Sequence, residues 1–128
     1  MNMHNGLTLA YLGDAIWEAK IREYLMKSGL TKVNDLHRKA IKFTSAIGEA
    51  TAVDRLISEC FSETEIDIFK RGRNAESTHK PKSVDLGTYH KSTGFEAVIG
   101  YLYLENATSR LEEIMMISIH IIEETLLR

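Results

Sequence analysis

Two short strings place a carboxylate where a helix would ordinarily carry an apolar residue. Leu12-Gly13-Asp14-Ala15 falls in a stretch of helical periodicity, although glycine in a helix interior costs about 1 kcal/mol relative to alanine. A close approach by another element would explain it. Asp14 follows at once, with Glu18 one turn later on the same face. Phe95-Glu96-Ala97-Val98-Ile99-Gly100 repeats the oddity, one acidic residue among apolar neighbours and a glycine four residues on. Such a carboxylate is expensive to bury unless it is paired or holds a cation. Two such helices packed face to face would bring Asp14 and Glu96 together, and oxygen ligands with positions left open for water and phosphate suit magnesium. A helix-surface aspartate and a first-turn glutamate favoured by the helix dipole fit the same spacing.

Other groupings carry less. His4, His37, His79, His90 and His120 are scattered and form no His-Glu-x-x-His pattern, so a histidine-rich zinc site is not expected. Ser77-Thr78-His79-Lys80 matches a Ser-x-x-Lys string but lies in a polar stretch without the partner motifs of serine acylases. No glycine fingerprint for phosphate occurs, and Met115 and Met116 read as core or interface on an apolar helix face. Cys60 is the single cysteine, which excludes an intrachain disulfide and a cysteine-based zinc site and fits a reducing, cytoplasmic setting.

The net charge of −2 argues against a nonspecific polycation, yet it averages over blocks of opposite sign. Residues 20–42 carry +5 and residues 70–91 carry +4, separated and flanked by acidic segments. The second block holds Lys70, Arg71, Arg73, Lys80, Lys82 and Lys91, which either bind a polyanion by counterion release or form a solvated loop. Lys32, Arg38, Lys39 and Lys42 are a second basic group.

Apolar residues recur at three- and four-residue spacing with little strand-like alternation, so the expected class is all-α. A first helix spans about Asn5 to Lys27 and ends at Ser28-Gly29. A second begins at Asn34 or Asp35, with Leu36, Ala40, Phe43 and Ile47 inward, and ends or bends near Gly48 into a third that reaches Cys60. Ser62 and Glu65 spell a capping box opening a fourth helix to about Lys70, and Arg71 to Lys91 reads as a long irregular loop. A fifth helix starts at Ser92 or Thr93 and runs through Leu104. The last begins at Thr108 or Ser109, with Ser109 and Glu112 as a second capping box, and continues to Leu127.

At 128 residues and 14.5 kDa, with 44% hydrophobic and 27% charged residues, the chain has the composition of one globular domain, expected to span 1–128. Its start lacks the pattern of a signal peptide. The most apolar run, Ile114 to Ile122, falls short of the about 20 residues a membrane span needs, so no membrane insertion is expected.

Taken in order, these strings resemble the ribonuclease III family. Leu12-Gly13-Asp14-Ala15 is similar to the core of its signature, and Phe95 to Leu104 to its second characteristic stretch. The fuller strings Leu9 to Ile16, Arg71-Gly72-Arg73-Asn74-Ala75 and Ser92 to Ala97 resemble more closely the Mini-ribonuclease III branch, a catalytic domain without an appended RNA-binding domain. The resemblance implies a helical bundle of the ribonuclease III endonuclease type and a homodimeric, Mg2+-dependent endonuclease of double-stranded RNA, with Mn2+ as a substitute ion. It also implies precursor 23S ribosomal RNA as substrate, with a ribosomal protein as a possible assistant. Asp14 and Glu96 match the family's metal-ligating acids. Two positions depart from the wider family, because Ala10 and Thr93 stand where it has carboxylates, as the Mini branch does. With the resemblance, Arg71, Arg73, Asn74, Lys80 and Lys82 become the expected RNA contacts, and Tyr11, Ile16 and Trp17 the expected dimer interface. Competing readings are a non-catalytic ribosome-associated member of the family and a helical module binding an acidic protein.

Overall fold

The computed structural model describes residues 4–75, 82 and 84–127. Lys80, the Ser77–Lys80 string and Pro81 lie outside them. The described residues form six helices and no strand: α1 Gly6–Lys27, α2 Val33–Thr44, α3 Ala46–Glu59, α4 Glu63–Arg73, α5 Leu86–Leu104 and α6 Thr108–Leu126. Among them no helix is long and apolar enough to cross a membrane.

Local chemistry sets most of the boundaries. Asn5 caps α1 by accepting from the Thr8 amide at 2.8 Å, and Gly29, at φ 104°, turns the chain out of it. Ser45 separates α2 from α3, accepting from the Gly48 amide at 3.1 Å. The break therefore precedes Gly48, and Ile47, expected inward from α2, is 54% exposed in the first turn of α3. The Ser62–Glu65 capping box forms as expected, with reciprocal bonds of 3.2 and 2.9 Å.

Three expectations fail for identifiable reasons. Helix α5 does not begin at Ser92 or Thr93: both hydroxyls donate back to the Tyr89 carbonyl, and Asp85, seven residues before Ser92, caps the helix by accepting from the Thr88 amide at 2.9 Å. Helix α4 runs past Lys70, so Arg71 and Arg73 are helical rather than loop residues. The second capping box does not form, since Ala107 is the N-cap of α6 and Ser109 is already inside it. Glu112 accepts instead from Lys20 Nζ at 2.7 Å, joining α6 to α1.

Helix α5 is the axis of the bundle. It packs against α1, α3, α4 and α6, and Phe95, Ala97, Val98 and Ile99 are completely buried, as befits a helix surrounded by others. Its closest neighbour is α1. A Cβ at Gly13 would sit on the Glu96 carbonyl oxygen, and one at Gly100 on the Leu9 carbonyl oxygen. The two glycines thus let the backbones meet, and the helix-propensity penalty is offset by that close crossing.

Away from this crossing, Arg110 of α6 clamps the start of α4. Its guanidinium donates to both oxygens of the buried Glu65 at 2.8 and 2.7 Å and to the Cys60 carbonyl at 2.8 Å. This bidentate pair holds the Glu65 carboxyl below its ordinary range. Removing one partner of a buried pair strands the other's charge, so Arg110→Ala should lower unfolding free energy by about 3 kcal/mol. Urea denaturation at neutral pH measures this, and a loss under about 1 kcal/mol would mean the pair behaves as an exposed one.

Candidate metal centre and nucleic-acid interface

The α1–α5 crossing places two acids side by side. Asp14 follows Gly13 on α1, and Glu96 lies on α5 within the same contact. Trp17, one turn beyond Asp14, braces the crossing from beneath: its ring meets Phe95 edge-on at 5.0 Å and its Nε1 donates to the Phe43 carbonyl at 3.0 Å. Glu96 is the eleventh residue of α5, which removes the first-turn, dipole-stabilised explanation for it. An acid this deep in a buried helix requires a partner or a cation.

A third acid completes the group. Ligand oxygens of Asp14, Glu49 and Glu96 lie within 4.8 Å of one another, with Asp14 exposed, Glu96 half-buried and Glu49 buried. Burial, then repulsion from Asp14, outweighs the hydrogen bond with Glu49 and pushes Glu96 up to about 8 from an ordinary 4.5. Glu49 is raised well above its ordinary value by burial first and by the Glu96 charge second. Glu18, expected on the face of Asp14, pairs with Arg22 at 3.5 Å and adds repulsion without joining the cluster. The donor set is all oxygen, anionic and convergent, and therefore fits a hard divalent cation.

Sequence reading missed Glu49. Its signal was the glycine immediately before it, since Gly48-Glu49 repeats Gly13-Asp14, and a Cβ at Gly48 would likewise strike a backbone oxygen, that of Lys42. Ala10 and Thr93 supply no further anion: both are buried, and the Thr93 hydroxyl donates to Tyr89.

The expected RNA contacts fall at the C-terminal end of α4. Gly72 lies against Gly94 and Ala97 of α5, residues flanking Glu96 in sequence, so Arg71 and Arg73 are carried on a segment that touches α5 at that level. Arg71 is exposed and donates to the His4 carbonyl. Arg73 lies 5.5 Å over the Phe69 ring and donates to Asn74 Oδ1 at 3.1 Å, so Asn74 orients the guanidinium. Lys82 is exposed.

Of the residues expected at a subunit interface, Tyr11 is 84% exposed and Ile16 is half-buried. Trp17 is a correction. It has no exposed surface and so offers a partner nothing to touch.

A family model described as "Ribonuclease III domain" matches residues 7–107. A Mini-ribonuclease 3 of Symbiobacterium thermophilum is 46% identical over 117 residues, covering 91% of this chain and 89% of that protein. One of Clostridium tetani is 47% identical over 122 residues, with 94% and 80% covered. A crystal structure of a protein from Fusobacterium nucleatum superposes with a TM-score of 0.82 at 30% identity, covering 93% of this chain and 94% of that one. The all-helical bundle is thus that of a ribonuclease III domain. Within that family, the chain belongs to the Mini-ribonuclease III branch.

Proposed function

We propose that this protein is a Mg2+-dependent endoribonuclease that cuts double-stranded RNA in the cytoplasm, with precursor 23S ribosomal RNA as its substrate and residues 1–128 as one catalytic domain. Endoribonuclease activity on duplex RNA follows from membership of the family. The observation that carries the site assignment is the convergence of Asp14 and Glu96 at the α1–α5 crossing. These two residues would hold the ion, which when bound would supply Lewis-acid polarisation of a phosphoryl oxygen and a lowered pKa for a water.

The side chains do the rest. Asp14 is the exposed acid of the pair and would be the one open to solvent and a phosphate, while the half-buried Glu96 would anchor the ion from the helix interior. In-line attack of water on phosphorus forms one P–O bond and breaks the bond to the 3′ oxygen, leaving a 5′-phosphate and a 3′-hydroxyl. Arg71, Arg73 and Lys82, with Asn74 as orienter and Lys80 outside the described residues, grip backbone phosphates. Duplex RNA offers phosphates and 2′-hydroxyls across a shallow minor groove, so recognition rests on shape and charge.

A twofold dimer supplies one site per strand. Tyr11 is largely uncovered and lies one turn before Asp14 on α1, so a second copy meeting α1 through Tyr11 and Ile16 would set its own centre beside this one. A ribosomal protein that presents the precursor is a compatible assistant.

The test is incubation of a labelled RNA duplex with the protein, in Mg2+ and in chelator. Cleavage in Mg2+ alone supports the reading; binding without cleavage in either would move the protein to the non-catalytic, RNA-binding members. Arg71→Ala with Arg73→Ala should weaken binding regardless of sequence and lower the log–log salt slope by about 2. An unchanged slope would put the duplex on another face.

A further inference from the structure

Glu49 is 1% exposed, and its Oε2 has no hydrogen-bond partner. It sits in the first full turn of α3, beside Gly48, whose lack of a side chain seats that turn against the end of α2. A carboxylate brought to such a place with an oxygen left over is a group waiting for an electrophile, because a structural carboxylate is normally satisfied by donors. Among the described residues its cluster holds two further acids, and the hydrogen bond it shares with Glu96 still leaves Oε2 unmatched.

We propose that Glu49 is a third ligand of the divalent-cation site, an inference that rests on the assignment of Asp14 and Glu96 as the other two. One of its carboxylate oxygens lies within the same 4.8 Å group as theirs, brought there by α3, which packs against α5 as α1 does. Three helices would then each contribute one oxygen to the ion, leaving the rest of its shell to waters and a phosphate oxygen. The arrangement also accounts for Ala10 and Thr93: the positions on α1 and α5 that carry no anion are offset by one on α3.

A neighbour that merely positions Glu96 makes a different prediction. Glutamine at 49 keeps the shape and can donate an amide N–H to the Glu96 carboxylate, so positioning survives in Glu49→Gln while the ligand charge is lost. Mn2+ binding to the full chain, read from the disappearance of the free-ion electron paramagnetic resonance signal, separates the two without any RNA present. Glu49→Gln should bind Mn2+ about tenfold or more weakly than the unaltered chain, and the metal-induced rise in melting temperature should shift to correspondingly higher Mn2+. Glu49→Asp, which keeps an anion on a shorter arm, should fall between the two.

Unaltered Mn2+ affinity in Glu49→Gln, with affinity lost in Asp14→Asn and Glu96→Gln, would overturn the third ligand and leave the two-carboxylate centre standing. Unaltered affinity in all three variants would overturn both. Circular dichroism in chelator checks that each variant is folded, and if Glu49→Gln is not, the same comparison between Glu49→Asp and the unaltered chain decides: equal affinity in a chain whose anion has been withdrawn by one methylene overturns the ligand.

Discussion

Glu96→Gln and Asp14→Asn should each reduce cleavage of an RNA duplex in saturating Mg2+ by about a thousandfold or more. A divalent ion supplies several kcal/mol of transition-state stabilisation, and about 4 kcal/mol is three orders of magnitude in rate. Each substitution keeps the side-chain shape and removes one ligand charge from a centre built on few. The fold should survive, because the crossing depends on Gly13, Gly100, Trp17 and Phe95 rather than on the carboxylates. Duplex binding in chelator should also survive, since the phosphate-gripping cations lie on α4 and in the segment after it. Single-turnover cleavage and a binding titration, run side by side, check this; near-normal turnover in either variant would remove that residue from the centre.

The metal-free protein should become less stable as pH rises from about 5 to about 8. Glu96 titrates near 8 in the fold against an ordinary 4.5, and Glu49 is raised as well. Between those values the folded chain keeps protons that the unfolded chain has released. Unfolding free energy therefore falls with pH, by about 1.4 kcal/mol per unit for each proton held. The contribution is complete below the ordinary value and is lost as pH passes through the folded value. Glu65 acts in the opposite sense, but its depressed carboxyl confines that effect to acid below the window. Urea midpoints in chelator at several pH values measure the slope. Glu96→Gln should flatten it, and saturating Mg2+ should abolish or reverse it by replacing protons with an ion. Stability that climbs with pH across this window in chelator would show that these carboxyls are not held as buried acids.

Much of the architecture could be read from local chemistry. The helix start near Asn5, the Ser62–Glu65 capping box and the Ser28-Gly29 stop all form as expected. The errors are instructive. Ser92 and Thr93 looked like a helix start because their hydroxyls can cap, but inside a helix the same hydroxyls bond back to a carbonyl one turn earlier. Which of the two occurs is decided by whether the preceding residues are helical, and Asp85 made them so.

By itself, the sequence determined that this chain is a bundle of helices and that Asp14 and Glu96 are out of place on apolar faces beside glycines. Its ordered strings also determined the family. Those properties are carried by residue type and short spacing, which act within one helix. What only the tertiary structure decided was the company those residues keep. Glu49 stands 35 residues from Asp14 and 47 from Glu96 in the chain, and its meeting with them depends on how α3 seats against α5. The same is true of Trp17, whose type suits an interface or a core equally well until the packing of Phe95 and Phe43 encloses it. Burial, and the charge state that burial imposes, belong to a position in space, which spacing along the chain cannot specify.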